Sequence, residues 1–192
     1  MSGSLFNGKL DDWTSIAVKS IEVQILGKRV FEAKIFAIAS VDHAHLVCLR
    51  GYCSHMTRGT FFIVYDLFPK GSLDNWIFPK TYNQNGGCLS WKLRYRVAIE
   101  VAKALGYLHH ECCQRILHLD IKPENVLLDD YFQAIVSDFG LSKLISKDES
   151  RVLTTIRGTH GYMAPEWYSA DGISEKYDIF SYGKLFLGIF FG

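Results

Sequence analysis

The chain has 192 residues, of which 48% are hydrophobic and 14% aromatic, so it can bury a core and is too apolar for a disordered segment. Lys and Arg number 21 and Asp and Glu number 20, and this near balance gives no support for a nucleic-acid or anionic-membrane partner. The length fits one domain of moderate size, or two lobes that share a hinge.

The first half of the chain is predicted to consist mainly of strands. Residues 15–19 and 60–65 are short apolar runs rich in β-branched or aromatic side chains. Between them, Phe31, Ile35 and Ile38 repeat at spacings of four and three, which indicates one amphipathic helix. We therefore expect a small sheet accompanied by a single helix.

The second half is predicted to be helical. Residues 69–72 form a turn signal, residues 81–87 form a polar loop, and Ser90 is a suitable N-cap for a long helix. The predicted buried face of that helix, which an arginine interrupts at its start, consists of Arg94, Val97, Val101, Leu105 and Leu108. Strands with one helix, followed by a helical half, indicate an α+β fold of two lobes.

The five cysteines favour free thiols in a reducing compartment, because their number is odd and none forms a C-x-x-C pair. Segment 109–113 holds two histidines and two cysteines, but their adjacent positions lack the usual spacing of zinc ligands, so a metal site there is the less favoured interpretation.

No secretory signal is predicted, because Met1 is followed by Ser-Gly-Ser and not by an apolar run. The apolar run 185–191 is far shorter than the ~20 residues of a membrane span, so the chain as written predicts none.

Four segments carry chemically informative residues in a fixed order. They are residues 16–19 (IAVK), residues 118–125 (HLDIKPEN), residues 137–140 (SDFG), and Gly158-Thr159 followed by residues 164–166 (APE). Each segment alone is a weak signal, but the ordered set resembles the protein-kinase signature and covers nearly the whole chain. The resemblance implies the two-lobed protein-kinase fold, with residues 1–66 as the N-lobe and residues 67–192 as an incomplete C-lobe. It also implies transfer of the γ-phosphoryl group of ATP to a protein hydroxyl.

The resemblance assigns roles to the catalytic residues. Asp120 would accept the proton of the substrate hydroxyl, and Lys122 would steady the γ-phosphate. The loop that contains Lys122 resembles the form found in serine/threonine kinases, and the resemblance assigns Thr159 to the same catalytic group. Asn125 and Asp138 would supply the hard oxygen ligands that Mg²⁺ prefers. Phosphoryl transfer needs positioned phosphates, a metal that neutralises charge and an acceptor hydroxyl held in line.

A second set of residues is expected to contact ATP. Lys19 would contact the α- and β-phosphates, while Ala17 would lie above the adenine ring and Leu127 below it. The other expected nucleotide-contacting residues are Gly3 and Leu5 at the glycine-rich loop, Tyr65 at the gatekeeper position, and Asp66 and Phe68 in the hinge. Hinge backbone suits this task because it reads a flat heterocycle with little side-chain involvement.

One departure from the kinase pattern concerns the charge that should orient Lys19. Lys34 stands where the resemblance expects a glutamate that pairs with this lysine. Glu32 lies two positions earlier, near the opposite side of the predicted helix, and cannot easily substitute. The sequence therefore predicts a weakened anchor for Lys19.

Three further departures accompany it. The sequence starts near Gly3, which resembles the last glycine of the glycine-rich loop. Leu119 replaces the arginine that is common before the catalytic aspartate. The sequence stops near the helix that Asp178 is expected to anchor. The aromatic residues expected to face water at that end are Phe186, Phe190 and Phe191. Two alternatives to an active kinase are therefore a pseudokinase that binds nucleotide or a partner, and a non-functional truncated fragment.

A finer resemblance points to plant receptor-like kinases. Residues 71–78 (GSLDNWIF), 157–167 (RGTHGYMAPEW) and 173–178 (ISEKYD) resemble the S-domain, or G-type lectin, receptor kinases. Those proteins have an extracellular lectin region and one membrane span before the kinase domain. The resemblance therefore implies a position on the cytoplasmic side, membrane association through a longer parent receptor, and protein substrates with Ser or Thr acceptors.

Overall fold

The computed structural model describes residues 3–22, 32, 35–36, 38–55, 60–78, 88–146, 149, 151–152, 158–168 and 172–191. The chain divides into two compact units, Met1–Asp42 with Val47–Leu67 and His43–Leu46 with Phe68–Gly192. Among the residues that the structure describes, strands dominate the first unit, and two long helices lie in the second. This distribution confirms the predicted α+β class.

The first unit is built on a four-stranded antiparallel sheet of order β1-β2-β4-β3. Its strands are β1 Gly3–Lys9, β2 Ser15–Glu22, β3 Leu49–His55 and β4 Thr60–Asp66. The predicted strands 15–19 and 60–65 lie inside β2 and β4 and are confirmed. In β4, Phe61 and Ile63 are buried while their neighbours are partly exposed, because one face of an antiparallel sheet is covered and the other is not.

The helical residues 32, 35–36 and 38–39 belong to the same unit. Ile35 and Ile38 are both buried, which confirms the predicted apolar face at these two positions. Ile35 packs in a cluster with side chains of β2 and β4, namely Ile21, Phe61 and Ile63. Phe31 and Lys34 lie outside the described residues, so the predicted loss of the partner of Lys19 stays a prediction.

The second unit contains a turn and the short helix α1, Asp74–Ile77, before its first long helix, α2, Trp91–Gly106. Gly71 has φ +67° in the turn, and its N–H donates to the carbonyl of Phe68 at 3.1 Å. The predicted cap of α2 is confirmed, since the Ser90 side chain accepts a hydrogen bond from the Leu93 N–H at 3.4 Å. These contacts show that local turn and cap signals were sufficient at both places.

The predicted apolar face of α2 is buried along its whole length. Helical structure continues beyond α2 as a π-helical turn, Tyr107–Glu111, which carries the buried Leu108. Arg94 interrupts the face for a physical reason, since its guanidinium donates to the carbonyls of Leu89 at 3.1 Å and of Ile189. A buried arginine is tolerated where it satisfies carbonyls that would otherwise lack donors.

Two small antiparallel sheets follow α2. One pairs β5, Arg115–Leu117, with β8, Lys143–Ile145, and the other pairs β6, Val126–Leu128, with β7, Ala134–Val136. The 3₁₀ turns Pro123–Asn125, Phe139–Leu141 and Pro165–Tyr168 occupy the connections. The long helix α3, Lys176–Phe191, completes the described part of the unit.

The aromatic residues of α3 are only partly as expected. Phe186 and Phe191 are exposed, as predicted, with 40% and 81% of their surface accessible. Phe190 is half-buried instead, because its ring stacks on Trp91 of α2 with centroids 5.8 Å apart. No helix in the described part of the chain combines the length and the apolar character needed to cross a membrane.

His43–Leu46 forms a short segment that packs with the second unit. Val136 N–H donates to the carbonyl of His45 at 2.9 Å, and Leu46 forms a parallel bridge to Val136. The His45 N–H donates to Nδ1 of His43 at 3.1 Å, and the His43 ring contacts Tyr107 at a centroid distance of 4.9 Å. The local turn therefore needs an unprotonated Nδ1 on His43.

We expect the free energy of unfolding to fall as the pH drops below about 6.5. Burial first, and then the neighbouring His45, lower the pKa of His43 from its ordinary value of 6.5, with Lys103 lowering it further and Glu111 opposing. The folded protein then binds fewer protons at this site than the unfolded chain, so stability present above pH 6.5 is lost as the pH falls towards the lowered value. Urea unfolding at a series of pH values from 7.5 to 5.5 measures how the free energy of unfolding changes with pH.

The variant His43→Asn keeps an acceptor for the N–H of residue 45 and removes the titration. We expect its stability to depend less on pH than that of the parent chain. The matched control is His160→Asn, since His160 is exposed. An unchanged pH slope in His43→Asn would contradict this assignment.

Candidate active site

The four predicted catalytic residues come together in the second unit. The hydroxyl of Thr159 donates to Oδ1 of Asp120 at 2.7 Å and accepts from Nζ of Lys122 at 2.7 Å. The same Lys122 ammonium lies 3.0 Å from Oδ2 of Asp120. Asn125 Nδ2 donates to that oxygen at 2.9 Å. The Asp120 carboxylate therefore accepts hydrogen bonds from a hydroxyl and an amide and pairs with an ammonium group.

The charges in this cluster compensate one another. The side chains of Asp120 and Lys122 are only 10% and 19% exposed, so each is substantially removed from water. Pairing offsets the cost of desolvating both charges. The Thr159 hydroxyl shows that Oδ1 of Asp120 is positioned to accept a hydrogen bond from an alcohol, which is the first requirement for a group that takes an alcohol proton.

A fully buried carboxylate on α3 supports the loop that carries Asp120. Asp178 accepts from the N–H groups of His118 and Leu119, both at 2.8 Å, and from Nε2 of His109 at 2.9 Å. Leu119 has φ +67°, an unfavourable conformation for a branched side chain that persists only where surrounding contacts hold it. Asp178 therefore fixes the strained residue immediately before Asp120. His109, part of the less favoured zinc interpretation, has its Nε2 engaged here.

The two predicted metal ligands lie on adjoining backbone segments. Asn125 uses both Nδ2 protons on Asp120, one on the carbonyl at 2.7 Å and one on Oδ2, which leaves its amide oxygen as an acceptor. Its own carbonyl accepts from the N–H of Ser137 at 2.8 Å, and Asp138 follows in the chain. Asp138 has φ +62°, and its Oδ1 accepts from the Gly140 N–H at 3.1 Å. This oxygen donor set fits Mg²⁺, which takes one or two protein groups with phosphates and water.

Four of the predicted nucleotide-contacting residues of the first unit share one face of its sheet. Lys19 is paired with Leu5 across β1 and β2, and Ala17 is paired with Tyr65 across β2 and β4. Directly opposite residues, and alternate residues of one strand, point to the same side. Ile21, on the same face, packs in the cluster that includes the helical Ile35. The strand register therefore places the Lys19–Leu5 pair and the Ala17–Tyr65 pair on the same face of the sheet.

The remaining predicted nucleotide-contacting residues are distributed between the two units. In the first unit, Gly3 opens β1, and Asp66 closes β4 with its Oδ1 accepting from Nε of Arg50 at 2.8 Å. In the second unit, the turn that starts at Phe68 is joined to β6 by the hydrogen bond from Leu128 N–H to the Gly71 carbonyl, 2.8 Å long. The half-exposed Leu127 is the central residue of that strand.

Some supporting contacts had no signal in the sequence. Asp178 was expected to anchor its helix, but nothing in the local pattern pairs it with His109, which lies 69 residues away. Glu100 is buried on α2, where its carboxylate accepts from the Ala134 N–H at 2.7 Å. Each of these contacts depends on elements that meet only after the unit has packed.

Comparison with known proteins gives a consistent picture. The family model of the protein kinase domain matches residues 2–192. A receptor-like protein kinase of Arabidopsis thaliana is 58% identical over 190 residues, which cover 97% of this chain and 42% of the relative. A G-type lectin S-receptor-like serine/threonine-protein kinase of the same plant is 47% identical over 190 residues, covering 99% of this chain and 23% of the relative. The chain thus spans less than half the length of these curated relatives.

Proposed function

We propose, since this chain belongs to the protein kinase domain family, that it acts as an ATP-dependent serine/threonine kinase domain. It transfers the γ-phosphoryl group of ATP to a hydroxyl group of a protein. The observation that carries the proposal is the Asp120 carboxylate, which accepts from one alcohol, Thr159, at 2.7 Å and pairs with Lys122 at 3.0 Å. A substrate hydroxyl requires the same kind of acceptor.

The proposed reaction follows from the chemistry of these side chains. The substrate hydroxyl oxygen forms a bond to the γ-phosphorus, while the bond from that phosphorus to the β,γ-bridging oxygen breaks and ADP leaves. Asp120 takes the hydroxyl proton as the new bond forms. Lys122 offsets negative charge on the group in transfer, and Thr159 holds the lysine and the carboxylate in register through its two hydrogen bonds.

Asn125 and Asp138 would hold Mg²⁺, which neutralises charge on the β- and γ-phosphates when bound. Lys19 would contact the α- and β-phosphates. The residues proposed to surround the rest of the nucleotide are Gly3, Leu5, Ala17, Tyr65, Asp66, Phe68 and Leu127. The shared sheet face of Ala17 and Lys19 supports their assignment to one ligand.

The biological setting is also a proposal. Relatives named as receptor-like kinases are much longer than this chain, which supports a parent receptor with this domain on the cytoplasmic side of a membrane. The substrate is then a protein with Ser or Thr acceptors. Among the described residues, no contact favours the pseudokinase or the non-functional fragment, since Asp120, Asn125 and Asp138 keep the chemistry that transfer needs.

Magnesium dependence tests the proposal directly. We expect Mg²⁺ to lower the Kd for ATP by about tenfold or more, which corresponds to about 1.4 kcal/mol, and to be required for transfer of labelled γ-phosphate to a Ser/Thr peptide mixture. Calorimetric titration of the chain with ATP, in Mg²⁺ or in EDTA, measures the first effect. Asp138→Asn should remove most of the Mg²⁺ effect, and the exposed Asp130→Asn should leave it intact. Equal ATP affinity in both buffers, with no transfer, would refute the proposal.

A further inference from the structure

The beginning of α3 contacts both segments that form the catalytic cluster. On one side, Asp178 binds the N–H groups of His118 and Leu119 in the loop of Asp120. On the other side, the buried Ser181 donates its hydroxyl to the carbonyl of Tyr162, at 2.7 Å, in the segment that carries Thr159. The same turn of helix thus supports the carboxylate and its hydroxyl partner.

The hydroxyl of Tyr177 lies beside Gly158, the residue before Thr159. Gly158 has φ +149°, and a Cβ built on it would lie 2.7 Å from the Tyr177 hydroxyl oxygen and 3.0 Å from Cγ of Met163. The Tyr177 ring is 3% exposed and lies 4.9 Å, centroid to centroid, from the ring of Trp167. The hydroxyl end of a firmly packed ring therefore closes off the space beside the Gly158 α-carbon.

We propose that Tyr177 is a positioning residue for phosphotransfer, which seats Gly158 and thereby sets the place of the Thr159 hydroxyl. The inference rests on the proposed kinase function. Thr159 makes two hydrogen bonds of 2.7 Å, one to Asp120 and one to Lys122, so a small displacement of its backbone weakens both. A misplacement of about 1 Å in a reacting group can cost about 10²-fold in rate.

The variant Tyr177→Phe isolates the hydroxyl. It keeps the ring that packs against Trp167 and removes only the atom next to Gly158. We expect kcat to fall about tenfold while the KM for ATP stays unchanged, because the affected contact is to Thr159 and not to the nucleotide-contacting residues. A role in stability alone would lower the melting temperature without this division between kcat and KM.

Tyr182→Phe is the matched control on the same helix. The hydroxyl of Tyr182 donates to the carbonyl of Ala98 at 3.0 Å, and burial raises the pKa of Tyr182, so this variant also loses one partly buried hydroxyl. Its contact is to α2 and not to the catalytic cluster, so we expect kcat to remain within about twofold of the parent value. An equal loss of kcat in the two variants would overturn the proposal.

A double-mutant cycle identifies the residue through which Tyr177 acts. In a Thr159→Ala background, Tyr177→Phe should cause no further loss of kcat, because the hydroxyl that it positions is gone. Independent, additive losses would overturn the proposal.

Hydrogen exchange provides a readout that does not need catalysis. We expect faster amide exchange in residues 158–163 of Tyr177→Phe than in the parent chain, and no such change in Tyr182→Phe. Unchanged exchange in that segment of Tyr177→Phe would overturn the positioning role. If the parent chain transfers no phosphate, the proposed function fails, while the exchange result still decides whether Tyr177 seats Gly158.

Discussion

Asp120→Asn is expected to lower kcat for phosphotransfer by about 10²–10⁴-fold, the usual contribution of a group that transfers a proton in the transition state. An asparagine at this position keeps the shape of the side chain and can still accept a hydrogen bond from Thr159 through its oxygen, but its amide N–H group then faces the donors Lys122 and Asn125 in place of Oδ2. It cannot take the substrate proton, and it no longer neutralises Lys122. Phosphate transfer at saturating MgATP, measured beside the melting temperature, distinguishes lost chemistry from lost folding.

The control for this prediction is Asp129→Asn, in a loop where the carboxylate accepts from the N–H groups of Tyr131 and Gln133, both at 2.8 Å. It removes a negative charge from the same unit without touching the catalytic cluster, so kcat should remain close to the parent value. If Asp120→Asn retained more than about a tenth of the parent kcat, the proton would be going elsewhere and Asp120 would not be the acceptor.

Asp178→Ala is expected to destabilise the second unit by about 3–5 kcal/mol, the cost of leaving buried charged or polar partners without their acceptor. The variant removes the hydrogen-bond acceptor of the N–H groups of His118 and Leu119 and of Nε2 of His109. Asp178 is 0% exposed, so these groups are left without a partner in a buried site. Water cannot readily replace the lost oxygen atoms there. Urea unfolding, followed by circular dichroism at pH 7, measures the change in the free energy of unfolding.

Asp129→Ala is the matched variant for this second prediction. Asp129 also accepts from two backbone N–H groups at 2.8 Å, but it is half-exposed, so water can take its place. We expect a loss of about 1 kcal/mol there. Equal losses in Asp178→Ala and Asp129→Ala would show that burial of the Asp178 network contributes nothing extra. Asp178→Asn should fall between, because it keeps one acceptor oxygen of the same shape.

Local patterns in the sequence were sufficient for several parts of the fold. The hydroxyl of Ser90 caps α2 where the sequence predicted, and the short apolar runs rich in β-branched or aromatic side chains correctly located β2 and β4. These features depend on residues a few positions apart, whose relative directions are determined by helix and strand geometry. The turn at Gly71 was predictable for the same local reason, since glycine adopts a positive φ without steric cost.

Motif order predicted the catalytic residues but not the contacts that hold them. The sequence alone determined that this chain carries an Asp, a Lys, an Asn and a Thr in the order of the kinase signature, within an α+β fold. The resemblance grouped Thr159 with the Lys122 loop, but only the tertiary structure showed its hydrogen bond to Asp120, 39 residues away, and the contact of His109 with Asp178. The same is true of Phe190, which Trp91 half-covers although the sequence predicted exposure. Such pairs form when separate elements pack, and side chains that meet through packing have no periodic spacing along the chain.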